Sequence, residues 1–479
     1  MPERSGALRT RAAPGPARTA WRIGGTGCAV LVGLVVVLSR LPFLGRGYGS
    51  DPDAWRAISA ARHLLETGRY VPSRVPGYPL PEYFDALMLR VGAGSALGIG
   101  LVSALLSGVA AALFVLLLMP LGRARAVAGA LALSFTPVVY VAGLGAMDYL
   151  WGLTFFLAAT LCTVSRRIGL AALFLGLAAA SRPSYALAII PLGLLCVDFE
   201  PAQLRLALPR RRLFVLAAGS GLIALAFFLP AFATVGVQVP RAYGGWEYVV
   251  FNSSVGLFGA AGLLGVGWAV VSAWRGRRHP VPLSDGLGGN LDRWAVTVLI
   301  VYGLLFVRLP DEASYLLPAL PGLYWLLCRY ARDIALWVLT AALLLSCFVF
   351  SVNRDSGAVG MTLRGPVLHE IGTQEDRDCV ANVVQRKLAA SPDGLDLVIA
   401  GASRPQLLVE LGAPLSDRVL YTVRPGADGT LVDTEGVVVP RNARLLLLDR
   451  AADQQSELWQ IPEGLVAVLD SGDECGDQD

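Results

Sequence analysis

Long apolar runs, separated by short connections, fill most of the chain up to residue 351. A helix needs roughly 20 mostly apolar residues to cross a bilayer, and about eleven runs approach that length. They lie at 23–40, 95–119, 125–144, 147–164, 168–181, 184–198, 213–234, 251–274, 294–308, 314–328 and 333–351. The pattern predicts an α-helical polytopic membrane protein, in which the short runs between 168 and 198 form broken or re-entrant helices.

The placement of arginines predicts the orientation, because short loops rich in Lys and Arg stay on the cytoplasmic side. The N-terminal tail (residues 1–22) and every second connection after it carry arginines. We therefore expect a cytoplasmic tail, a transmembrane domain over 23–351, and within it a first outer loop over 41–93. An odd number of spans places residues 352–479 on the same outer side of the cell (inner or plasma) membrane. The first run could instead be a cleaved signal peptide, although no small-residue cleavage site follows it.

Residues 352–479, the C-terminal domain, differ from the rest because apolar strand-like runs alternate with helical stretches. The strand-like runs are Leu397 to Ala400, Leu445 to Leu448 and Leu465 to Leu469, and the clearest helical stretch is Asp378 to Ala389. We expect a small extracytoplasmic α/β domain. Its Cys379 and Cys475 could pair in an oxidising compartment or remain two separate thiols.

Composition removes several classes of function. The chain of 479 residues is 55% hydrophobic and 16% charged, with a mean hydropathy of +0.58 that only lipid can accommodate. The net charge of +4 is small and the basic residues form short clusters, which excludes nucleic acid as a partner. The three histidines are far apart and the seven cysteines show no metal-site spacing. The chemistry must therefore come from carboxylates, arginines and tyrosines.

The first outer loop contains the clearest candidate site. Asp51 suits a helix N-cap, Pro52 a first helical position and Gly68 a C-cap, so a helix is expected over 52–67. Capping alone would explain Asp51. Alternatively, an aspartate at a helix N-terminus stays ionised, as a general base or a divalent-metal ligand must, and Asp53 stands two residues further on. We take Asp51 and Asp53 as the candidate catalytic residues.

Prolines stiffen the second half of this loop, because each one fixes its own φ. We expect Arg74, Tyr78 and Glu82 to lie on a semi-rigid strand, displayed above the membrane. Arg74 is a candidate phosphate ligand, and Tyr78 and Glu82 are candidates for binding another part of a substrate. The alternative is that these residues only anchor the loop to lipid headgroups.

Other connections on the predicted outer side carry polar residues between apolar runs. These are Asp148 and Tyr149, then Arg182, then Arg308, Asp311, Glu312 and Tyr315. Ionisable residues at membrane depth are costly and usually functional, so we expect one composite site. Arg182, Arg308 and Tyr315 are candidate phosphate ligands, since a guanidinium donates two hydrogen bonds at once. The remaining four are candidates for binding the substrate.

These motifs resemble those of the GT-C class of membrane glycosyltransferases. In the first outer loop the similarity to the oligosaccharyltransferase catalytic subunit rests on Asp51-Pro52, Trp55-Arg56, Thr67-Gly68 and Tyr78-Pro79. The stretch from Ala60 to Tyr70 is similar to the loop of family 39 and aminoarabinose-type transferases. Leu316 to Pro321, directly after Tyr315, resembles a segment on one of their late helices.

The resemblance implies a GT-C-like fold and an inverting transfer from a polyprenyl-phosphate-linked sugar to a glycan, lipid or protein acceptor. Asp51, backed by Asp53, would accept the proton of the attacking hydroxyl, while Arg182, Arg308 and Tyr315 would neutralise the leaving phosphate. No cofactor is demanded, although Asp51 could share a divalent metal, Mg²⁺ or Mn²⁺, with the phosphate. The rival classes are a non-catalytic scaffold and a transporter or lipid flippase, which usually has repeated halves that this sequence lacks.

A reporter enzyme that is active only outside the cytoplasm, fused after residue 351, tests the predicted orientation. We expect it to be active, because the arginine pattern and an odd number of spans place this point outside. A second reporter that works only in the cytoplasm should be silent at the same position. The opposite pair of signals would show that the span count is wrong.

Overall fold

The computed structural model describes residues 16–200, 205–207, 210–237, 245–283, 287–355, 358–391, 396–412, 415–425, 430–433, 438–440, 443–448, 466–469 and 475. The α-helices of this part of the chain, α1 to α17 in order, are Pro16–Arg40, Pro52–Thr67, Pro79–Arg90, Ala96–Leu118, Arg123–Ser134, Pro137–Val141, Tyr149–Val164, Ile168–Ser181, Ile189–Cys196, Arg210–Val235, Trp246–Ser253, Val255–Gly276, Leu287–Arg308, Leu320–Tyr330, Asp333–Phe348, Pro366–Ala389 and Arg404–Glu410. Its strands, β1 to β10, are Asp198–Glu200, Arg205–Ala207, Ser351–Asp355, Ala358–Thr362, Asp396–Ile399, Val419–Leu420, Val423–Pro425, Leu431–Asp433, Arg444–Leu448 and Val466–Leu469. Most of the predicted cytoplasmic tail lies outside the described residues.

Every predicted apolar run coincides with helical structure. Within the described residues, five helices are long and apolar enough to cross a membrane: Gly25–Phe43, Ala96–Leu121, Arg210–Val235, Val255–Gly276 and Gly288–Arg308. Between 168 and 198 the helix is broken as expected, because α8 ends at Ser181 and a 3-10 segment over Pro183–Ala188 precedes α9. A mostly helical membrane protein is thus confirmed, while the count of eleven spans stays a prediction.

The long helices present large apolar side chains outwards and small residues to one another. Leu222, Leu264 and Leu304 are 68%, 77% and 68% exposed, as expected of side chains that face lipid. Helices α1 and α4 approach closely at two glycines, and a Cβ atom added to Gly33 would lie only 2.8 Å from the carbonyl oxygen of Gly108. Such contacts between small residues are typical of helix packing in membranes.

The first outer loop contains two short helices. Helix α2 begins and ends as predicted, since the Asp51 side chain accepts a hydrogen bond from the backbone N–H of Asp53 at 2.8 Å and Gly68 has a φ of 67°. The prediction that Glu82 lies on a strand was wrong, because α3 begins at Pro79 and contains it. Proline is favoured in the first turn of a helix, where its missing N–H is not needed. Pro79 therefore starts a helix and does not stiffen a strand.

The C-terminal domain is built on a parallel sheet with the strand order β10-β9-β5-β6. The predicted α/β architecture is confirmed, although the predicted strand residue Leu465 lies outside the described residues. Helix α16 packs its buried Val384 and Leu388 against Val398 of β5. Cys379 on this helix forms a disulfide with Cys475, which decides between the two alternatives left by the sequence. The location of this domain on the outer side of the membrane stays a prediction.

Helix α16 also contacts the first outer loop directly beside Asp51. The Glu370 carboxylate, 8% exposed, accepts hydrogen bonds from the backbone N–H of Ser50 at 2.7 Å and from the Ser50 hydroxyl. Gln374, one turn further on, donates to the same carboxylate at 2.8 Å. A segment 320 residues away in sequence therefore fixes the backbone that precedes the N-cap of α2.

Replacing Glu370 by alanine should destabilise the protein and loosen this loop. The change leaves the half-buried N–H of Ser50 without its acceptor, which costs about 1 kcal/mol. Glu370→Gln keeps one acceptor oxygen and should cost less. Thermal unfolding and limited proteolysis around residues 45–51 measure both effects.

The matched control is Glu375→Ala on the same helix. Glu375 forms an ion pair with Arg46, and both side chains are well exposed. Surface pairs of this kind contribute little, so the control should behave like the unmodified chain. Equal behaviour of the Glu370 and Glu375 variants would contradict the proposed attachment of the loop to α16.

Candidate functional site

Asp148, which directly precedes α7, binds two arginines from different segments. Its Oδ1 atom accepts a hydrogen bond from Arg74 Nη2 at 2.5 Å, and its Oδ2 atom accepts one from Arg182 Nη1 at 2.6 Å. The second terminal nitrogen of Arg74 donates to Asp53 Oδ2 at 2.6 Å. Asp148 and Arg182 are both buried. The first outer loop and two later connections therefore meet at a single carboxylate.

Tyrosine rings surround the two guanidinium groups. The Arg182 guanidinium lies 4.1 Å from the ring centre of Tyr149, 4.8 Å from that of Tyr315 and 5.5 Å from that of Tyr78. The guanidinium of Arg74 lies 4.2 Å from the Tyr78 ring centre on its other flank. Cation–π contacts of this kind stabilise a desolvated cation by up to about 2 kcal/mol. The network thus holds both arginines in fixed positions.

Three carboxylates converge next to this network. One oxygen atom each of Asp51, Asp53 and Glu312 lies within 4.8 Å of the others. Asp53 is held by Arg56 at 2.7 Å and by Arg74 at 2.6 Å. Glu312 accepts hydrogen bonds from the Tyr149 hydroxyl and, at 2.7 Å, from the Ser314 hydroxyl. Hydrogen bonds and ion pairs therefore orient the carboxylates towards one another despite their like charge.

The geometry of this acidic cluster fits a divalent cation. Oxygen ligands on opposite sides of Ca²⁺ are up to about 5.2 Å apart, and those of Mg²⁺ are up to about 4.2 Å apart. The observed limit of 4.8 Å is therefore compatible with the first ion and needs a small closure for the second. Burial, followed by the like charges of Glu312 and Asp53, raises the pKa of Asp51 to about 7. A cation would relieve that repulsion.

A cavity of about 350 Å³ opens beside the cluster. Its acidic lining residues are Asp51, Asp311, Glu312 and Glu370. Among the residues that the structure describes, no Lys, Arg or His lines it. The volume is within the usual range for small-ligand sites, which begins at about 300 Å³. We call it the acidic cavity.

The structure brings most of the predicted site residues together. The residues in the ion-pair network, the acidic cluster or their direct surroundings are Asp51, Asp53, Arg74, Tyr78, Asp148, Tyr149, Arg182, Asp311, Glu312 and Tyr315. One predicted residue lies elsewhere, because Arg308 ends α13 with an exposed side chain. Glu82 is buried inside the first outer loop beside the network, where it lines a small cavity with Asp53, Arg74 and Asp148.

Other residues of the site were not singled out from the sequence. Glu370 lines the acidic cavity from the C-terminal domain, and Asn252 lines it from α11 and donates to the backbone carbonyl groups of Pro310 and Asp311. Arg56 was noted only as part of a motif, yet it binds Asp53 one helical turn away. That i, i+3 spacing of opposite charges was a signal that could have identified it.

No protein-family model and no curated protein matches this chain. Several solved structures do. ArnT from Cupriavidus metallidurans, bound to undecaprenyl phosphate, is 14% identical, with 94% of this chain and 90% of that chain covered and a TM-score of 0.47. The Archaeoglobus fulgidus oligosaccharyltransferase is 12% identical, with 85% of this chain and 65% of that chain covered and a TM-score of 0.45. The arabinosyltransferase EmbB from Mycobacterium smegmatis is 15% identical, with 81% and 34% covered and a TM-score of 0.37.

All three matches are glycosyltransferases of the GT-C class, so the resemblance predicted from the loop motifs is confirmed as a similarity to solved structures. The chain spans less than two thirds of the length of the archaeal oligosaccharyltransferase and about a third of that of EmbB. Because the TM-scores stay below 0.5, the matches carry no information on the chemistry of the site.

Glu82 and Asp85 form a second acidic pair, buried under the first outer loop on α3. Glu82 accepts hydrogen bonds from the Tyr70 hydroxyl and the Ser73 hydroxyl, each at 2.5 Å. Burial raises the pKa of Glu82 from 4.5 to about 7. Burial and then the charge of Glu82 raise the pKa of Asp85 from 3.8 to about 8. Both groups therefore hold their protons more tightly in the folded loop than in an unfolded chain.

This pair should make the stability of the protein fall as the pH rises from about 4 to about 8, through the interval between the unfolded and folded pKa values. Below that interval both states are protonated, and within it the folded state binds more protons. For Glu82 alone the loss is on the order of 3 kcal/mol. Thermal unfolding of the detergent-solubilised protein between pH 5 and pH 8 measures it. Glu82→Gln should flatten the dependence of stability on pH. Glu66→Gln, an exposed control on α2, should not change it. A stability that does not depend on pH in the unmodified chain would contradict the effect of burial.

Proposed function

We propose that this chain transfers a sugar from a polyprenyl-phosphate-linked donor to an acceptor at the outer face of the cell membrane, with inversion at the anomeric carbon. The observation that carries the proposal is the acidic cluster of Asp51, Asp53 and Glu312 at the rim of the acidic cavity. The apolar helices that are long enough to cross a membrane support a donor that is linked to a lipid. The first outer loop, with its GT-C-like motifs, supports transfer of a sugar as the reaction.

The charges around the cluster explain why a cation would be needed. Four carboxylates face three guanidinium groups among the described residues of the network: Asp51, Asp53, Asp148 and Glu312 against Arg56, Arg74 and Arg182. The arginines are therefore already neutralised, and a donor phosphate would meet an excess of negative charge. Asp51, Asp53 and Glu312 would hold Mg²⁺ or Mn²⁺. When bound, that ion supplies positive charge for the leaving phosphate.

Asp51 and Asp53 differ in what their carboxylates already contact. Both oxygen atoms of Asp53 accept charge-assisted hydrogen bonds, Oδ1 from Arg56 and Oδ2 from Arg74. Asp51 accepts one bond through Oδ1 from the backbone N–H of Asp53. We therefore assign proton acceptance to Asp51 and orientation to Asp53. Arg74 and Arg182 hold this arrangement through their ion pairs with Asp53 and Asp148.

The reaction follows as a single displacement. The acceptor hydroxyl oxygen attacks the anomeric carbon from the face opposite the phosphate, and Asp51 takes the hydroxyl proton. The bond between the anomeric carbon and the phosphate oxygen breaks, and its electron pair leaves with the polyprenyl phosphate. Attack from the opposite face inverts the anomeric centre. The donor is the activated partner, so no oxidant, reductant or further cosubstrate enters.

Asp51→Asn tests the assignment, because asparagine caps a helix as well as aspartate does but cannot take the proton. Transfer should fall by roughly 100-fold to 10,000-fold, with thermal stability close to that of the unmodified chain. The assay uses the purified protein, Mn²⁺ and a polyprenyl-phosphate sugar. Asp333→Asn, which removes an exposed carboxylate at the predicted cytoplasmic ends of the helices, is the control.

The companion variant Asp53→Asn should also lose activity, since it releases Arg56 and Arg74 from the carboxylate that orients them. Its thermal unfolding should shift more than that of the Asp51 variant, because two arginines lose a partner. Near-normal transfer by the Asp51 variant would move the role of base to Asp53. Near-normal transfer by both variants would exclude a carboxylate of this loop as the catalytic base.

A further inference from the structure

A second cavity, of about 430 Å³, is lined by the body of α2, whereas the acidic cavity is lined by the residues at its start. One wall is α2 and the loop after it, and the opposite wall is the C-terminal domain. Its lining residues are Arg56, Ser59, Ala60, His63, Val71, Pro72, Ser73, Arg404, Pro405, Leu408 and Tyr421. We call it the basic cavity, because Arg56, His63 and Arg404 line it and no Asp or Glu among the described residues does.

The sequence of α2 explains how this helix serves both cavities. Arg56, Ser59, Ala60 and His63 recur at positions i, i+3, i+4 and i+7, so they share one face of the helix. The face that carries Trp55 and Ile58 is buried in the transmembrane domain instead, and these two residues are 3% and 0% exposed. The polar face of α2 is thus turned towards the C-terminal domain and away from lipid.

One hydrogen bond joins the two walls of the basic cavity, and a second one orients an arginine within its C-terminal wall. Arg62, on α2, donates to the backbone carbonyl of Val409 on α17 at 2.5 Å. On the opposite wall, the Arg404 Nε atom donates to the backbone carbonyl of Val419 at 3.2 Å, which sets the direction of its side chain. A cavity held open in this way spares a ligand the free-energy cost of forming it.

The two cavities have opposite charge and are linked by one ion pair. Arg56 lines the basic cavity and donates to Asp53 Oδ1 at 2.7 Å, and the backbone N–H of Asp53 donates to Asp51. Through Arg56, the wall of the basic cavity is joined directly to Asp53 of the acidic cluster. The negative charge of a ligand in the basic cavity would be stabilised there without any metal ion.

We propose that the basic cavity binds the acceptor, and that the acceptor is an anionic saccharide that carries a phosphate or a carboxylate group. The identification of the ligand as the acceptor rests on the proposed function, whereas the anion-binding site itself does not. The donor phosphate enters the acidic cavity with a divalent cation, while the acceptor's anion pairs with Arg404 and His63. Ser59, Ser73 and Tyr421 offer hydroxyl groups for the hydroxyl groups of the sugar.

Binding of glucose 6-phosphate, glucuronate and neutral glucose to the purified full-length protein tests the proposal. Calorimetry is run with EDTA present, so that a cation in the acidic cluster takes no part. Both anionic sugars should bind at least about tenfold more tightly than glucose, as expected for charge-assisted hydrogen bonds. Arg404→Gln and His63→Gln should each weaken the anionic sugars several-fold and leave glucose unchanged. Arg69→Gln, which removes an exposed arginine from the same loop outside the cavity lining, is the matched control and should change nothing.

Further measurements keep the outcomes distinct. Thermal unfolding of each variant shows that a loss of binding is not a loss of fold. Farnesyl phosphate should not displace glucose 6-phosphate; displacement would mean that the lipid phosphate occupies the basic cavity, and the proposal would be overturned. The proposal would also be overturned if glucose bound as tightly as the anionic sugars, or if neither anionic sugar bound. Identical behaviour of the Arg404 and Arg69 variants would overturn it as well. If the anionic sugars bound as expected but the Asp51→Asn variant kept full transfer activity, only the proposed function would be overturned. The anion-binding site would stand.

Discussion

The arrangement of the site depends on one buried carboxylate that binds two guanidinium groups, that of Arg182, which is buried, and that of Arg74, which is half-buried. Asp148 takes Arg74 on one oxygen atom and Arg182 on the other, and removing a single partner from such a pair costs about 3–5 kcal/mol. The three residues come from three separate outer connections, so none of these connections can move without leaving a charge unpaired. Arg74 also forms an ion pair with Asp53, and the backbone N–H of Asp53 donates to the Asp51 carboxylate. The position of the catalytic candidate is therefore set by charge pairing at a distance.

The same network divides the site into regions of opposite sign. The guanidinium groups sit behind the carboxylates, screened by tyrosine rings, and the unneutralised carboxylate oxygen atoms face the acidic cavity. Tyr149 connects the two regions, since its ring covers Arg182 and its hydroxyl donates to Glu312. Burial without a cation is unfavourable for such a cluster, as the raised pKa of Asp51 indicates. Electrostatics thus favours the binding of a cation at this cluster, in agreement with the metal ion of the proposed function.

Local patterns predicted much of this, and long-range contacts account for what they missed. The apolar runs, the cap at Asp51 and the strands of the C-terminal domain follow from periodicity and capping within a few residues, and the structure agrees. For Asp148 and Arg182 the sequence predicted only that both lie on the same side of the membrane. It could not predict their contact, because sequence gives no distances. Arg308 was predicted on the same side and yet lies outside the network, since its position at the end of α13 exposes it. The contact between Glu370 and Ser50 joins residues 320 positions apart, and no local rule could have found it.

The backbone before Asp51 explains why the C-terminal domain is needed at all. Gly45, Gly47 and Gly49 have φ values of 86°, 127° and 141°, a region that side-chain-bearing residues rarely adopt. Glycines allow this path but do not enforce it, because they retain the most conformational freedom in the unfolded chain. The path must then be fixed by contacts from outside the loop. Trp55 donates to the carbonyl of Gly49 from α2, and Glu370 holds Ser50 from α16. A folded C-terminal domain is therefore part of what positions Asp51, even though it contributes no residue to the acidic cluster.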